Sequence, residues 1–130
     1  MSRTPKAKLP FSVGVDIEEV ARFRREVNSS RTFLTSVFTA REMAYCMSKA
    51  DPAMHFAGIF AAKESAIKAL NKFRVGRLTV ADFEVAHGRN GEPKVRYGGN
   101  GILIRTAQIE VSISHTAEKA VAVALSAIGY

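Results

Sequence analysis

The sequence predicts an α+β fold, in which helices pack against a largely antiparallel sheet. Three observations support it: a short apolar run at Phe11–Val15, a central segment with helical apolar spacing at 55–70, and period-two alternation in several short segments after Phe83. The order of one strand, then helices, then four strands joined mainly by turns favours α+β with a largely antiparallel sheet. At 130 residues, the chain is expected to form one domain over 1–130.

The first half of the chain predicts a strand and two helices before the central segment. The strand is expected to end at Asp16, and a helix is expected over 17–27 because its apolar residues fall on one face. Asn28-Ser29-Ser30 should break that helix. The run Thr39-Ala-Arg-Glu42 has the pattern of a capping box and should open a helix that continues to about Lys49.

The central segment, which follows Asp51-Pro52, predicts a helix built for burial that nevertheless carries charges. One stripe of it consists of apolar residues, namely Phe56, Ile59, Phe60, Ala66, Ile67 and Leu70. Lys63 falls inside this stripe, while Glu64 and Lys68 lie together on its flank. A surface pair at i and i+4 would explain Glu64 and Lys68 but would not explain Lys63.

The second half predicts four strands and one short helix. Phe83 and Val85 alternate in the first strand and Val95 and Tyr97 in the second, with a turn at 89–93 between them. A short helix is expected at 102–108. Two further strands are expected, one containing Val111 and Ile113 that leads to Ser114-His115-Thr116, and one over 120–128.

Composition narrows the class of protein. Hydrophobic residues make up 47% and charged residues 24%, which is typical of a globular protein. Cys46 is the single cysteine, so an internal disulfide and a thiolate zinc site are both excluded. No apolar run approaches the roughly 20 residues of a membrane span, and the first ten residues lack the apolar core of a secretory signal. We therefore expect a cytoplasmic protein with no membrane partner.

The net charge of +7 predicts an anionic partner. Nucleic acid, a phosphate-rich small molecule and an acidic protein all satisfy this requirement. A small nucleic-acid-binding domain is disfavoured because the basic residues are dispersed and the aromatic residues lie on apolar stripes. We expect no nucleic-acid partner.

Four polar residues interrupt the apolar pattern, and each has a structural explanation when taken singly. Asp16 has the position of a helix N-cap, Glu64 and Lys68 that of a surface pair, and His115 that of a loop histidine at a strand end. Together they offer two carboxylates, an ammonium group and an imidazole. Such a set suits Mg²⁺ bridging phosphates, since Mg²⁺ prefers one or two carboxylates together with phosphate oxygens and water.

Four segments together identify a family. Gly14-Val-Asp16-Ile17 followed by Arg22, and the helix Phe60-Ala-Ala-Lys63-Glu64-Ser-Ala-Ile-Lys68-Ala, resemble the first two motifs of the 4′-phosphopantetheinyl transferases. Asn90-Gly-Glu-Pro93 resembles the family's hairpin, and 111–116 its C-terminal segment. Their order, spacing and total length are similar to the short, single-half type over nearly the whole chain.

The resemblance implies a reaction and its residues. The phosphopantetheine arm of coenzyme A would pass to a serine of an apo acyl carrier protein, of fatty-acid or polyketide type, with release of adenosine 3′,5′-bisphosphate. The carboxylates of Asp16 and Glu64 would hold Mg²⁺ on the coenzyme's pyrophosphate. Lys68 would contact the leaving phosphate, and Glu64 would accept the serine proton directly or through a water. Lys63 would either support a subunit interface or contact phosphate.

The resemblance also implies an assembly. The family type is a trimer with its sites between subunits, so His115 and Thr116 would reach in from a neighbouring protomer to bind coenzyme A phosphate. Such burial between subunits would also suit the strongly apolar central helix. Arg22 matches the family's arginine for the acidic carrier protein, and Arg25 and Arg31 would extend this basic patch.

Two departures from the family pattern concern coenzyme binding. Ile59 stands where the family usually has an arginine that helps to hold the coenzyme, and Asn71-Lys72-Phe73-Arg74 stands where most members have a glycine-rich turn. Lys72 and Arg74 would supply phosphate contacts in compensation. A non-catalytic or degenerate carrier-protein-binding homologue is the alternative, but the presence of Asp16 and Glu64 favours an enzyme because a binding module needs no metal ligands.

Overall fold

The computed structural model describes residues 9–99, 101 and 106–128. Within these residues, one strand is followed by four helices and then by four strands, as in an α+β fold, with one short 3₁₀ turn at Val80–Asp82. The strands are β1 (Phe11–Glu19), β2 (Phe83–His87), β3 (Pro93–Tyr97), β4 (Ala107–His115) and β5 (Lys119–Ile128). The helices are α1 (Val20–Val27), α2 (Thr32–Val37), α3 (Ala40–Met47) and α4 (Pro52–Asn71).

The strands form a three-stranded antiparallel sheet in the order β1-β5-β4 and a separate antiparallel hairpin of β2 and β3. Helix α4 lies across one face of the three-stranded sheet, against small side chains. Gly14 on β1 is the closest approach, since a Cβ atom there would lie 2.1 Å from the backbone oxygen of Ser65. Glycine at this position therefore lets β1 pack directly on α4.

Helix α4 is buried on nearly all sides within the single chain. Its residues from Phe56 to Lys63 are all buried, because α1, α3 and the hairpin cover the faces that the sheet leaves open. A cluster of phenylalanine rings fills the space between α1, α2 and α4, and consists of Phe23, Phe33, Phe38, Phe56 and Phe60. The apolar character of α4 therefore needs no neighbouring subunit, contrary to the expectation from sequence.

The opposite face of the three-stranded sheet is exposed and apolar. Alternate side chains of β1 and β5 point to this side, namely Phe11, Val13, Val15, Ile17, Val123 and Leu125. The strand register pairs Val13 with Leu125 and Val15 with Val123, so these residues form one contiguous apolar surface. None of the helices in the described part of the chain has both the length and the apolar composition of a membrane-spanning segment.

The predicted order of one strand, then helices, then four strands is confirmed, but two boundaries near Asp16 are wrong. Strand β1 continues to Glu19, which pairs with Lys119, so Ile17 lies on the strand and not on a helix. Helix α1 begins at Val20 with Glu19 as its N-cap. Asp16 is therefore a strand residue, and its interpretation as an N-cap is also wrong.

The capping box predicted at the start of α3 is confirmed. The backbone N–H of Glu42 donates to Oγ1 of Thr39 at 3.2 Å, and the backbone N–H of Thr39 donates to Oε1 of Glu42 at 2.9 Å. Helix α2 was not predicted. Of the expected helix at 102–108, residues 102–105 lie outside the described residues, while Ala107 and Gln108 belong to β4 because they pair with β5.

Candidate active site

Three of the predicted residues meet where β1 crosses α4. The ammonium group of Lys68 donates to Oδ1 of Asp16 at 3.2 Å and to the backbone oxygen of Val15 at 3.1 Å. Glu64 lies one turn before Lys68 on α4 and is half-buried. The close approach of β1 to α4 at Gly14 positions Asp16, two residues further along the strand, beside the helix. The structure thus brings Asp16 and Lys68 together in one chain, with Glu64 beside them.

The surroundings of Glu64 favour the protonated form of its carboxyl group. Burial raises the pKa of Glu64 above its ordinary value, and the negative charge of Asp16 raises it further. Lys68 and Arg22 act in the opposite direction. A carboxylate whose pKa is raised toward neutrality is a better general base than an ordinary glutamate. The electrostatics therefore agree with the predicted role of Glu64.

Glu18 is a member of this site that the sequence analysis missed. Its side chain is 13% exposed and lies on the same face of β1 as that of Asp16, two residues along. Burial raises the pKa of Glu18 to about 8, assisted by a hydrogen bond with Asp16 and by the charge of Asp16. Strand alternation from Asp16 would have identified Glu18, but 17–27 was assigned to a helix.

The guanidinium group of Arg22 is held at the edge of the site by an ion pair and by aromatic rings. Its Nη1 atom donates to Oε1 of Glu18 at 3.3 Å, and its Cζ atom lies 5.0 to 5.4 Å from the ring centres of Phe23, Phe33 and Phe60. Arg25 is exposed on the same helix, whereas Arg31 is exposed beyond its end and donates to the backbone oxygen of Val27.

Lys63 does not belong to this site. Its fully buried ammonium group donates to Oε1 of Glu42 at 2.6 Å and to the backbone oxygen of Val37 at 2.9 Å. Oε2 of Glu42 accepts from the backbone N–H of Val85 at 2.7 Å. The charge inside the apolar stripe is therefore half of an internal ion pair that ties α3, α4 and β2 together. Neither predicted role, interface support or phosphate contact, corresponds to this position.

His115 and Thr116 lie away from the carboxylates within the single chain. The ring of His115 contacts that of His55, with 6.3 Å between ring centres, and His55 precedes Glu64 on α4 by about 13 Å of helix. Oγ1 of Thr116 accepts from the backbone N–H groups of Glu118 and Lys119 in the turn before β5. One chain alone therefore does not join these residues to Asp16 and Glu64.

Lys72 and Arg74 follow the C-terminal end of α4. The ammonium group of Lys72 donates to the backbone oxygen of Phe11 at 2.9 Å and to that of Leu9 at 3.4 Å, on the same side of the helix as Lys68. Arg74 is exposed and has a φ of 53°, a left-handed conformation that favours glycine. The structure thus places Lys72 beyond Lys68 along the edge of β1 and α4, with Arg74 two residues further along the chain.

The donor set fits a hard divalent cation only if phosphate completes it. Among the described residues, no group of three or more histidine, cysteine, aspartate or glutamate side chains is arranged to hold a metal ion. Within the same residues, the buried Oδ2 atom of Asp16 has no fixed hydrogen-bond donor, so that it can accept from a protonated Glu18 or contact a cation. Mg²⁺ commonly uses one or two carboxylates and takes its other ligands from phosphate and water.

Comparisons with known proteins identify the family. The model of the 4′-phosphopantetheinyl transferase superfamily matches residues 12–125. Holo-[acyl-carrier-protein] synthase from Chlorobium limicola is 39% identical over 118 residues, covering 88% of this chain and 92% of the relative, and that from Chlorobaculum parvum is 40% identical over 116 residues, covering 88% and 97%. The chain belongs to the 4′-phosphopantetheinyl transferase superfamily.

Solved structures agree with this assignment. Holo-[acyl-carrier-protein] synthase from Helicobacter pylori in complex with coenzyme A matches with a TM-score of 0.74 and 28% identity, over 88% of this chain and 99% of that one. The enzyme from Mycobacterium tuberculosis matches with a TM-score of 0.69 and 29% identity, over 91% and 97%. The resemblance predicted from the four motifs is confirmed, as are the α+β fold and the assignment of the chain as a phosphopantetheinyl transferase.

Proposed function

We propose that this chain transfers the 4′-phosphopantetheine group of coenzyme A to a serine of an apo acyl carrier protein and releases adenosine 3′,5′-bisphosphate. The proposal depends on one observation: Asp16, Glu64 and Lys68 lie together in a chain that belongs to this family. Relatives at 39–40% identity are named holo-[acyl-carrier-protein] synthase, and a structural neighbour contains coenzyme A.

Asp16 and Glu64 are the residues that would hold Mg²⁺. When bound, this ion would neutralise the pyrophosphate and polarise the phosphorus that the serine attacks. Two observations support the assignment. Burial, and then the charge of Asp16, raises the pKa of Glu64, and the buried Oδ2 atom of Asp16 has no hydrogen-bond donor among the described residues, so that a cation could contact both carboxyl groups.

The protein's own groups would move the proton and balance the charge. In the transfer, the serine oxygen forms a bond to phosphorus while the bond from that phosphorus to the bridging oxygen of the pyrophosphate breaks. Glu64 accepts the serine proton, which its raised pKa favours. Lys68, whose side chain is 52% exposed, can exchange its contact with Asp16 for the departing phosphate and stabilise its charge.

The reaction is expected to stop when Mg²⁺ is removed. Adding EDTA to the protein with coenzyme A and apo carrier should abolish transfer, and excess Mg²⁺ should restore it, because two carboxylates and one ammonium group leave the pyrophosphate charge largely unbalanced. Undiminished transfer in EDTA would contradict the role given to Asp16 and Glu64.

We also propose a cytoplasmic location for the protein. The thiol of Cys46 is compatible with this location, because it is buried and burial raises its pKa to about 12, so that it is unreactive.

We further propose a homotrimer whose active sites lie between protomers. The exposed apolar surface of β1 and β5, which includes Val13, Val15 and Val123, supports an interface because such surfaces are uncommon on monomers. The separation of His115 from Glu64 supports it independently, since a neighbouring protomer would have to supply the histidine.

Mixing two inactive variants tests the shared site. Glu64→Ala and His115→Ala subunits should each show little transfer alone and recover part of the activity after subunit exchange, because a mixed interface pairs an intact Glu64 with an intact His115. Sedimentation should give a trimer before and after exchange. A monomer, or no recovery after exchange has been verified by mass, would contradict the arrangement.

Carrier recognition is assigned to the basic surface at Arg22, with Arg25 and Arg31 extending it. Arg22→Glu should raise KM for the carrier and leave KM for coenzyme A nearly unchanged, since repulsion replaces attraction toward an acidic protein. Added salt should weaken the wild-type carrier interaction by screening the same charges. Arg96→Glu on the exposed side of β3 is the matched control and should change neither constant. A rise confined to KM for coenzyme A would instead assign Arg22 to the nucleotide.

A further inference from the structure

The three histidines of the chain surround one cavity, which we call the histidine cavity. His55 comes from the first turns of α4, His87 from the end of β2 and His115 from the end of β4. The cavity has a volume of about 190 Å³, and its other lining residues include Tyr45 and Ile59. Three separate elements therefore bring every imidazole of the protein to one place.

Ring contacts connect these side chains in series. The ring of His87 stacks on that of Tyr45, with 3.8 Å between centres and 11° between planes. Tyr45 contacts His55 edge-on at 5.9 Å, and His55 contacts His115 edge-on at 6.3 Å. The result is an aromatic wall that carries three titratable rings, beside the apolar side chain of Ile59.

Burial and neighbouring positive charges oppose protonation of the histidines in this cavity. Burial lowers the pKa of both His55 and His87, and the charge of Lys49, whose Nζ atom lies 4.7 Å from the ring centre of Tyr45, lowers both further. His115 lowers the pKa of His55, and His55 lowers that of His87. Protonation of the cavity is therefore opposed mainly by burial and by neighbouring positive charge.

The nearby carboxylates already have partners. Asp51 and Glu42 favour protonated histidine, but Asp51 is paired with Arg24 at 2.8 Å and Glu42 with the buried Lys63 at 2.6 Å. The carboxylate of Glu92, in the hairpin turn, accepts a hydrogen bond from the backbone N–H of Asn90. Arg41 and Glu84 line the adjoining groove beside His87 and offset each other in charge. Protonated histidines would thus give the cavity an excess of positive charge that suits a phosphate group.

We propose that protonation of His55 and His87, together with His115, strengthens binding of the anionic nucleotide end of coenzyme A at the histidine cavity, so that affinity for the coenzyme falls as pH rises. The inference rests on the proposed function and on the contact with coenzyme A phosphate that the family resemblance implies for His115, and it adds two residues and a pH dependence. The aromatic wall and Ile59 provide a surface for the base, and the imidazoles provide donors for phosphate.

The direction of the pH dependence distinguishes titration of the histidines from titration of the ligand's phosphate. A bound phosphate raises the pKa of each histidine above its value in the free protein. Binding is then strongest below the free-state pKa and weakens as pH rises through the bound-state pKa. The phosphate monoester itself gains negative charge above pH about 6, which by itself would strengthen binding as pH rises. A fall in affinity over this range therefore belongs to the histidines.

Calorimetric titration with adenosine 3′,5′-bisphosphate at a series of pH values tests the inference. Between about pH 5.5 and pH 8, wild-type affinity should fall by roughly tenfold or more, the factor that corresponds to one unit of pKa shift on binding. The His55→Gln/His87→Gln variant should lose most of this dependence because glutamine retains hydrogen-bonding capacity without titrating. Lys94→Gln, which removes an exposed cation on β3, is the matched control and should retain the wild-type slope.

Imidazole proton resonances provide a second measurement on the unmodified protein. Each of the three histidines should show a higher pKa with the bisphosphate than without it. A wild-type slope retained in the double variant, or unchanged pKa values of His55 and His87 on ligand addition, would overturn the inference. If transfer proceeds with pH-independent affinity, the inference fails alone; if neither binding nor transfer occurs at any pH, the proposed function fails with it.

Discussion

Replacing Asp16 or Glu64 by alanine is expected to reduce transfer to the background rate while the protein remains folded. Asp16 is the carboxylate that β1 contributes to the site, where it contacts Lys68 of α4. Glu64, whose pKa is raised, is the group proposed to accept the serine proton. Loss of a general base alone costs roughly 10²–10⁴ in rate, and loss of a metal ligand adds to this. Initial rates with saturating coenzyme A, carrier and Mg²⁺ measure the effect.

Glu19→Ala is the matched control for this prediction. Glu19 lies on the same strand, three residues from Asp16, but its side chain is 61% exposed and contacts Lys119 instead of the site. It should retain nearly full activity. Thermal melting should give similar transitions for all three variants, because neither Asp16 nor Glu64 belongs to the apolar core. Full activity of either Asp16→Ala or Glu64→Ala would refute the assignment.

The largest effect on stability is expected at the buried pair of Lys63 and Glu42. Lys63→Met should lower the free energy of unfolding by about 3–5 kcal/mol, because it leaves the carboxylate of Glu42 buried without its cation. Adding Glu42→Gln should recover part of this loss, since glutamine removes the charge and its single amide oxygen can still accept from the backbone N–H of either Thr39 or Val85. Urea denaturation of the two single variants and the double variant measures these differences.

Catalysis distinguishes this account from a direct role of Lys63. The double variant should transfer phosphopantetheine at a rate that follows its folded fraction, because Lys63 bonds to Glu42 and Val37 and not to Asp16 or Lys68. Wild-type stability of Lys63→Met combined with loss of transfer would show that Lys63 acts in the reaction and would contradict the structural role.

The features that could be predicted from the sequence are those set by local pattern. The capping box of Thr39 and Glu42, the helical spacing of α4 and the alternation around Phe83 and Val95 depend on neighbouring residues, and all three are present in the structure. The meeting of Asp16 with Lys68 spans 52 positions, and no local pattern contains it. The proximity of Asp16 and Lys68 could be predicted from the sequence only through its resemblance to a known family.

The features that could not be predicted depend on partners distant in sequence. The length of β1 is set by pairing with β5 as far as Glu19 and Lys119, so a local helical pattern at 17–27 was misleading and Glu18 was missed. The role of Lys63 depends on Glu42, which lies 21 positions earlier. His55, His87 and His115 converge only because the start of α4 lies near the ends of β2 and β4.

Phosphopantetheine transfer is tested by the mass of an apo acyl carrier protein after incubation with this protein, coenzyme A and Mg²⁺. We expect a gain of one phosphopantetheine group on the carrier serine, formed with an equal amount of adenosine 3′,5′-bisphosphate and absent with Glu64→Ala. A phosphopantetheinyl transferase of known activity, run in parallel, verifies that the carrier accepts the group. An unchanged carrier mass with this protein, when the parallel sample is fully modified, would show that the chain is not a transferase for this carrier and would contradict the proposed function.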